Sequence, residues 1–498
     1  MISFRRRYPC DVSYKRILKS QIYPLIQYNF TTFSQICQAI TRIFHILTKR
    51  GTFFAENIDI FIVFLYNTLR KYLFLGITMK IKIKKITYEE ALSIPIPTRK
   101  KLPRPNFLFK CLIRLLSIPD LMATKFSYTT SGMEKAGKGP YLILMNHSSF
   151  IDLKIASKIF FRKPYYIVCT SDGFIGKNWL MRRIGCIPAK KFVADISMTR
   201  DILRAIKEKK KSVLLFPEAS YTFDGTATPL PRKLGQLLKK LDVPVVSVIT
   251  EGAFLRQPLY NNLKLRKTKV SAKVTCLLTR EEIAEKSVQE LDEILDNTFS
   301  FDNFARQYET KTKIDEPFRA DGLNRILYRC AECNTEGEME GKGTELICRH
   351  CGKTYHMDEY GRLRAIQGET QFPHIPDWYA WQRECVKNEL LTGNYKLDLD
   401  VEIGMMIDFK QIYMVGAGKL IHDNNGFTLT GCDGKLHYTQ SPLSSYGLYS
   451  DYYWYQIDDV ICIGDKKYLY YCFPKQKDVV AKARIAAEEL YKIQKQTV

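Results

Sequence analysis

Short, uninterrupted apolar runs set the pattern of the middle of this chain. Residues 141–145 (YLILM) follow the glycine-rich turn Gly137-Lys138-Gly139-Pro140 and are apolar without alternation, as a strand buried on both faces should be. Residues 164–169, 212–216, 243–250 and 269–278 read as further strands, and 198–210 as a helical segment between two of them. Strands alternating with helices over about 126–300 predict an α/β layer fold, whose ligands gather at strand ends.

The flanking regions follow other patterns. Residues 1–78 show no clear amphipathic period. Their most apolar stretch, 60–69, is about half the length a helix needs to cross a ~30 Å hydrocarbon core, and Asp59, Arg70 and Lys71 bracket it, so no transmembrane helix is expected there. The composition changes at Met79, which marks 1–78 as an N-terminal extension or a membrane-associated arm. Residues 79–125 form a basic, proline-containing linker followed by an apolar helix over 107–118 with Lys110, Arg114 and Ser117 on one stripe. Such a helix either lies in a membrane interface with its cations reaching the headgroups, or covers the domain core. Residues 371–498 read as a helix carrying Trp378 and Trp381, then short strands with turn signals at 423–426 and 432–434, then a helical tail. This is a β-rich domain compatible with a small barrel capped by a helix, and the aromatic stretch 446–455 reads as a packed strand pair.

Charge narrows the choice of partner. The 498 residues carry a net charge of +24, and residues 1–125 hold 22 Lys and Arg against 6 Asp and Glu, so two-thirds of the excess precedes the α/β region. Basic residues beside apolar segments suit an anionic membrane surface better than a nucleic-acid groove. A mean hydropathy of −0.21 argues against a chain built mainly of membrane spans. The start has no uninterrupted apolar h-region or small-residue cleavage site, so a reducing compartment is expected for the 14 cysteines.

The candidate chemistry lies just after the first buried strand, in Asn146-His147-Ser148-Ser149-Phe150-Ile151-Asp152. Ser148 or Ser149 would cap a helix starting near Phe150, and its first turn would bring the Asp152 carboxylate back to the imidazole. A carboxylate on one ring nitrogen fixes the tautomer and leaves the other nitrogen to act as base; the alternative is a satisfied structural pair. Neither serine sits in a Gly-x-Ser-x-Gly elbow, so no serine nucleophile is assigned.

Four segments in order, NHSSFID, IGCIPAKKF (184–192), FPEAS (216–220) and VPVVSV (243–248), resemble the four blocks of the glycerolipid acyltransferase family, best known for lysophosphatidic acid acyltransferases. The resemblance covers roughly 105–310 and implies a mixed sheet with flanking helices. It implies His147 and Asp152 as catalytic, with Asn146, Lys190, Lys191, Pro217, Glu218, Ala219 and Ser220 on the substrate side. The implied partners are a lysophospholipid acceptor and acyl-CoA or acyl-ACP as donor. The sequence departs where the family usually has Gly-Thr-Arg, here Ala219-Ser220-Tyr221, and where its second block usually carries an Arg, here Lys190 or Lys191. Lysine replaces the charge of an Arg but not its bidentate fork, so the acceptor is the part most affected. Arg182, Arg183, Arg232 and Lys233 are nearby cations that would compensate.

Cys330-x2-Cys333, fourteen residues, then Cys348-x2-Cys351 is a zinc-ribbon pattern, four thiolates for one structural Zn²⁺. The expected organisation is 1–78, 79–125, an acyltransferase domain over 126–320, a zinc ribbon over 325–365 and the β-rich domain over 371–498. The expected activity is acyl transfer to 1-acylglycerol 3-phosphate, giving phosphatidic acid, by a peripheral protein on the cytoplasmic face of a membrane. Alternatives are another lysolipid or glycolipid acceptor, or a nucleic-acid-binding zinc-ribbon protein with a degenerate lipid domain. Nucleic acid is disfavoured, because residues 330–351 carry mixed charge.

Overall fold

The computed structural model describes residues 81–97, 102–103, 105–193, 195–232 and 234–497. The expectations for residues 1–78 and for Lys233 fall outside them. Residues 79–498 form one compact unit.

After a short strand β1 (Ile83–Lys85) comes helix α1 (Phe107–Ala123), then β2 (Ser127–Ser131) and β3 (Leu142–Met145). Helix α2 (Asp152–Ile159), β4 (Tyr165–Thr170), α3 (Asn178–Ile184), β5 (Cys186–Ala189) and α4 (Ile196–Leu203) follow, then β6 (Ser212–Leu215), β7 (Val245–Glu251) and β8 (Ser271–Leu278). The expected strands are present, with β3 one residue shorter than the apolar run. The segment expected as one helix over 198–210 is α4 followed by a π-helical turn, Arg204–Glu208.

These strands form one sheet in the order β2-β8-β7-β3-β6-β4-β5. All neighbours are parallel except β7 with β8, so the sheet is mixed. β3 is central, which explains its unbroken apolar run. Leu142 and Leu144 join the core with Ile202, Ile206 and Leu238 on one face, while Ile143 and Met145 pack with Ile155, Phe160 and Leu121 on the other.

Helix α1 packs on the domain core, the second of the two places open to it from sequence. The Lys110–Arg114–Ser117 stripe does not point outward: Ser117 is buried with its Oγ 3.1 Å from Ser157 Oγ of α2, and Lys110 Nζ lies 5.0 Å from the centre of the Tyr165 ring. Burial pushes the Lys110 amine down to about 8. Phe107, Leu108 and Met122 are instead exposed, at 68%, 52% and 72%. Packing against α2 takes the face carrying small Ser117, because two helices approach closely only where side chains are short.

Strands β9 (Met339–Lys342), β10 (Glu345–Cys348), β11 (Thr354–Met357) and β12 (Leu363–Ala365) form a small antiparallel sheet. Helix α5 (Ile375–Leu391) leads into β13 (Leu397–Met406), β14 (Ile412–Asp423), β15 (Gly426–Gly431), β16 (Leu436–Gln440), β17 (Tyr449–Trp454), β18 (Asp458–Gly464) and β19 (Leu469–Pro474), followed by α6 (Val480–Thr497). Their order is β16-β15-β14-β13-β19-β18-β17, with β1 paired to β14, so the barrel expected from sequence is a path with two edges. One apolar core contains Phe254 and Phe304 beside the first sheet, Leu346 and Tyr355 of the small sheet, Trp378 of α5, Leu420 of β14 and Ile485 of α6.

Candidate active site

The loop leaving β3 is fixed by two side chains. Asn146 is buried and ties β3 to β7: its Oδ1 accepts the Thr250 N–H at 2.8 Å and the Thr250 hydroxyl at 3.0 Å. Asp152 is the first residue of α2, and its Oδ2 accepts the N–H groups of Ser148 at 2.9 Å and Ser149 at 3.1 Å. The expected serine cap is therefore inverted. The carboxylate holds the serine backbone, while Ser148 Oγ lies 3.2 Å from Asn146 Nδ2. Both arrangements satisfy N–H groups near a helix start, and the carboxylate does so with charge-assisted bonds.

The same Oδ2 stands 3.0 Å from His147 Nδ1. Three bonds on one buried oxygen leave the imidazole little rotational freedom, and a carboxylate on Nδ1 selects the tautomer whose Nε2 is free to take a proton. Asp152 is 1% exposed and His147 17%, so the ring remains reachable while its orienter is shielded. Burial moves the His147 imidazole below its ordinary value; Asp152 pulls it back up and the Lys191 ammonium lowers it further.

Aromatic rings grip the imidazole from residues on the far side of β6. Phe216 and Tyr221 each have ring centroids 4.0 Å from that of His147. Glu218 Oε2 accepts the His147 backbone N–H at 2.6 Å. Burial pushes the Glu218 carboxyl up to about 8, opposed by that backbone bond, so near neutral pH its protonated form prevails. Its Oε1 is buried with no protein partner among the described residues. Pro217 and Ser220 are buried, and Ala219 has φ +57°, a left-handed conformation that costs a residue with a Cβ about 1 kcal/mol. That conformation accounts for the family's glycine at this place.

Residues that sequence reasoning did not find come from the C-terminal region. Arg484 of α6 donates to Ser220 Oγ at 3.0 Å and to the Tyr221 carbonyl at 3.3 Å, its guanidinium 4.3 Å from the Phe223 ring centre. Asp172, beyond β4, accepts the Trp454 indole N–H at 3.0 Å and the Tyr449 hydroxyl. The aromatic stretch is thus a packed strand pair, as expected, and also a wall beside the site. Lys191 Nζ lies 4.3 Å from the centre of the Tyr449 ring, whereas Lys190 Nζ donates to the Lys466 carbonyl. Half-buried Asp451, its carboxyl pushed up to about 7 by desolvation, feels the Lys191 charge as well, which lowers it. Of the four cations expected to compensate, Arg232 is paired with Asp296 at 2.6 Å on the surface and Arg183 lies over Trp179, 5.7 Å from its ring centre. Arg182 lines a cleft with Lys190.

The four cysteines of the ribbon pattern converge. Their sulfurs lie within 4.8 Å of one another, with Cys330–Cys351 and Cys333–Cys348 both 3.8 Å apart. Tetrahedral ligands at the usual Zn–S length of ~2.3 Å stand about 3.8 Å from one another, so the donor set fits one such ion without leaving a ligand position open. The cysteines are not in disulfides.

The end of the central strand of a mixed α/β sheet thus carries a carboxylate-oriented histidine, with the buried Glu218 carboxyl in the loop after the neighbouring strand β6. Residues 127–251 match the family model described as Acyltransferase. A stretch of 130 residues is 27% identical to the 1-acyl-sn-glycerol-3-phosphate acyltransferase of Saccharomyces cerevisiae, covering 24% of this chain and 42% of that protein. The chain thus spans less than half the length of this curated relative. The crystal structure of the 1-acyl-sn-glycerophosphate (LPA) acyltransferase from Thermotoga maritima aligns with 38% of this chain and 76% of its own, at 16% identity and a TM-score of 0.32.

Proposed function

We propose that the protein transfers a fatty acyl group from a thioester donor, acyl-CoA or acyl-ACP, to the free hydroxyl of 1-acylglycerol 3-phosphate, giving phosphatidic acid. The observation that carries this reading is the 3.0 Å contact between His147 Nδ1 and Asp152 Oδ2 at the end of the central strand, within the segment that matches the acyltransferase family. His147 Nε2 takes the hydroxyl proton as the oxygen attacks the thioester carbonyl. The C–S bond then breaks, and the imidazolium returns its proton to the leaving thiolate. Asp152 stabilises the imidazolium throughout. The departure at Ala219-Ser220-Tyr221 favours a second reading, in which the acceptor is another lysolipid or a glycolipid.

The same proposal puts one structural Zn²⁺ on Cys330, Cys333, Cys348 and Cys351, supported by the sulfur spacings. It puts the protein peripherally on the cytoplasmic face of an anionic membrane. No helix among the described residues is long and apolar enough to cross a membrane. Support for surface binding comes from exposed Phe107 and Leu108 on α1, with the Phe107 ring 6.4 Å from Phe161 and exposed Lys158 and Arg162 in the adjacent turn.

Purified protein assayed with a panel of lysolipids and both donor types tests the activity. His147→Ala is expected to abolish transfer with the melting temperature nearly unchanged. Near-normal turnover by that variant overturns the assignment.

A further inference from the structure

A cavity of about 1100 Å³ opens beside the site rather than on it. Its floor is the carboxyl ends of β4 and β5, at Ser171 and at Pro188 to Lys190, and its far wall is the turn between β13 and β14, at 408–411, with Lys466 between β18 and β19. β3 and β4 are separated by β6 alone, so the cleft begins about 10 Å from His147, on the same edge of the sheet. A volume at or above that of an ordinary small-molecule pocket has room for a headgroup or a nucleotide.

Its lining charge is unbalanced. Lys82, Arg182, Lys190, Arg200, Lys410 and Lys466 face three aspartates. All three are engaged: Asp195 accepts the Met198 N–H, Asp408 accepts the Tyr413 hydroxyl and the Lys410 N–H, and Asp201 acts on the Arg182 charge, which leaves a net positive lining. Lys410 Nζ lies 3.8 Å from Asp408 Oδ2, and its side chain stays 82% exposed to the cleft mouth and solvent. Lys190 is held by the Lys466 carbonyl, so the second block of the acyltransferase domain and the C-terminal sheet meet at this wall. A partly enclosed, cationic cleft at the strand ends is built for a phosphate-bearing group.

We propose that this cleft receives the phosphate-bearing end of one of the two substrates, and that Lys410 and Lys466 of the C-terminal sheet supply part of its binding charge. The proposal rests on the acyl-transfer reading. Two sources share the chemistry: the headgroup of the lysolipid acceptor and the nucleotide phosphates of a CoA thioester.

The test is kinetics of the full chain carrying Lys410→Glu, Lys466→Glu or both. The double variant is expected to raise the KM of one substrate about tenfold or more, as loss of charge-assisted contacts should, with Lys410→Arg retaining tight binding. A rise for acyl-CoA that vanishes with an acyl-pantetheine donor lacking the nucleotide identifies the donor. A rise for the lysolipid that vanishes with uncharged monoacylglycerol identifies the acceptor. Unchanged KM values for both substrates overturn the proposal. Should the wild-type chain transfer no acyl group, the functional reading falls by itself, and equilibrium binding of CoA and of glycerol 3-phosphate decides the cleft. Binding lost in the double variant upholds it, and no binding to the wild type overturns it.

Discussion

In the proposed mechanism only the neutral imidazole of His147 accepts the hydroxyl proton, so its titration is expected to set the acid limb of the reaction. A group depressed below the ordinary histidine value of ~6.5 is already neutral near pH 7. The rate should therefore rise with pH through a midpoint below 6.5 and level off before neutrality. Lys191→Ala removes a cation that disfavours the charged ring, so the midpoint should move upward; a pH profile of kcat/KM for both proteins checks it, and an unmoved midpoint contradicts the role given to Lys191. At this scale the sequence was informative. His147 and Asp152 stand five positions apart on a strand-to-helix turn, close enough for local geometry to bring them together, whereas Glu218 entered through the resemblance of its block to the acyltransferase pattern. The aromatic grip of Phe216 and Tyr221 was not visible, since a ring in a motif does not reveal which neighbour it covers.

At the scale of elements, the proposed zinc bears on the stability of the four-cysteine sheet. β9 to β12 are only three or four residues long, and Tyr355 of β11 meets Trp378 of α5 edge-on at a centroid distance of 5.0 Å. Strands this short are marginal without a metal or extensive packing. One zinc per chain by elemental analysis is expected, and a chelator or Cys348→Ser should lower the melting temperature by several degrees, since the sheet shares its core with α5 and α6. Zinc-free protein with an unchanged melting temperature argues against it. The cysteine spacing was readable because it is local. The inward turn of the Lys110 stripe was not, because helical periodicity defines a face without saying which way the face points, and the short Ser117 side chain decided that through packing.

For the whole molecule, the outward apolar residues of α1 set an expectation about surfaces. The full chain should sediment with anionic phospholipid vesicles and do so less with neutral ones. Replacing Phe107 and Leu108 by Ser should weaken binding about tenfold or more, from the apolar area withdrawn from the interface. Equal binding by the variant would point to another docking face. The α/β layer was legible from its apolar runs and the C-terminal strands from their turns. Their union was not, because contacts such as Arg484 with Ser220 join residues 264 positions apart and leave no mark in either local sequence.

That contact also bears on how the protein is made. The turn carrying Ser220 and Tyr221, which covers one face of the catalytic ring, lacks its guanidinium support until residue 484 has been synthesised. A nascent chain can lay down the first sheet early, since domains fold in order as they emerge. A chain cut short before α6 therefore carries every residue of the four blocks and still lacks part of the frame that holds them.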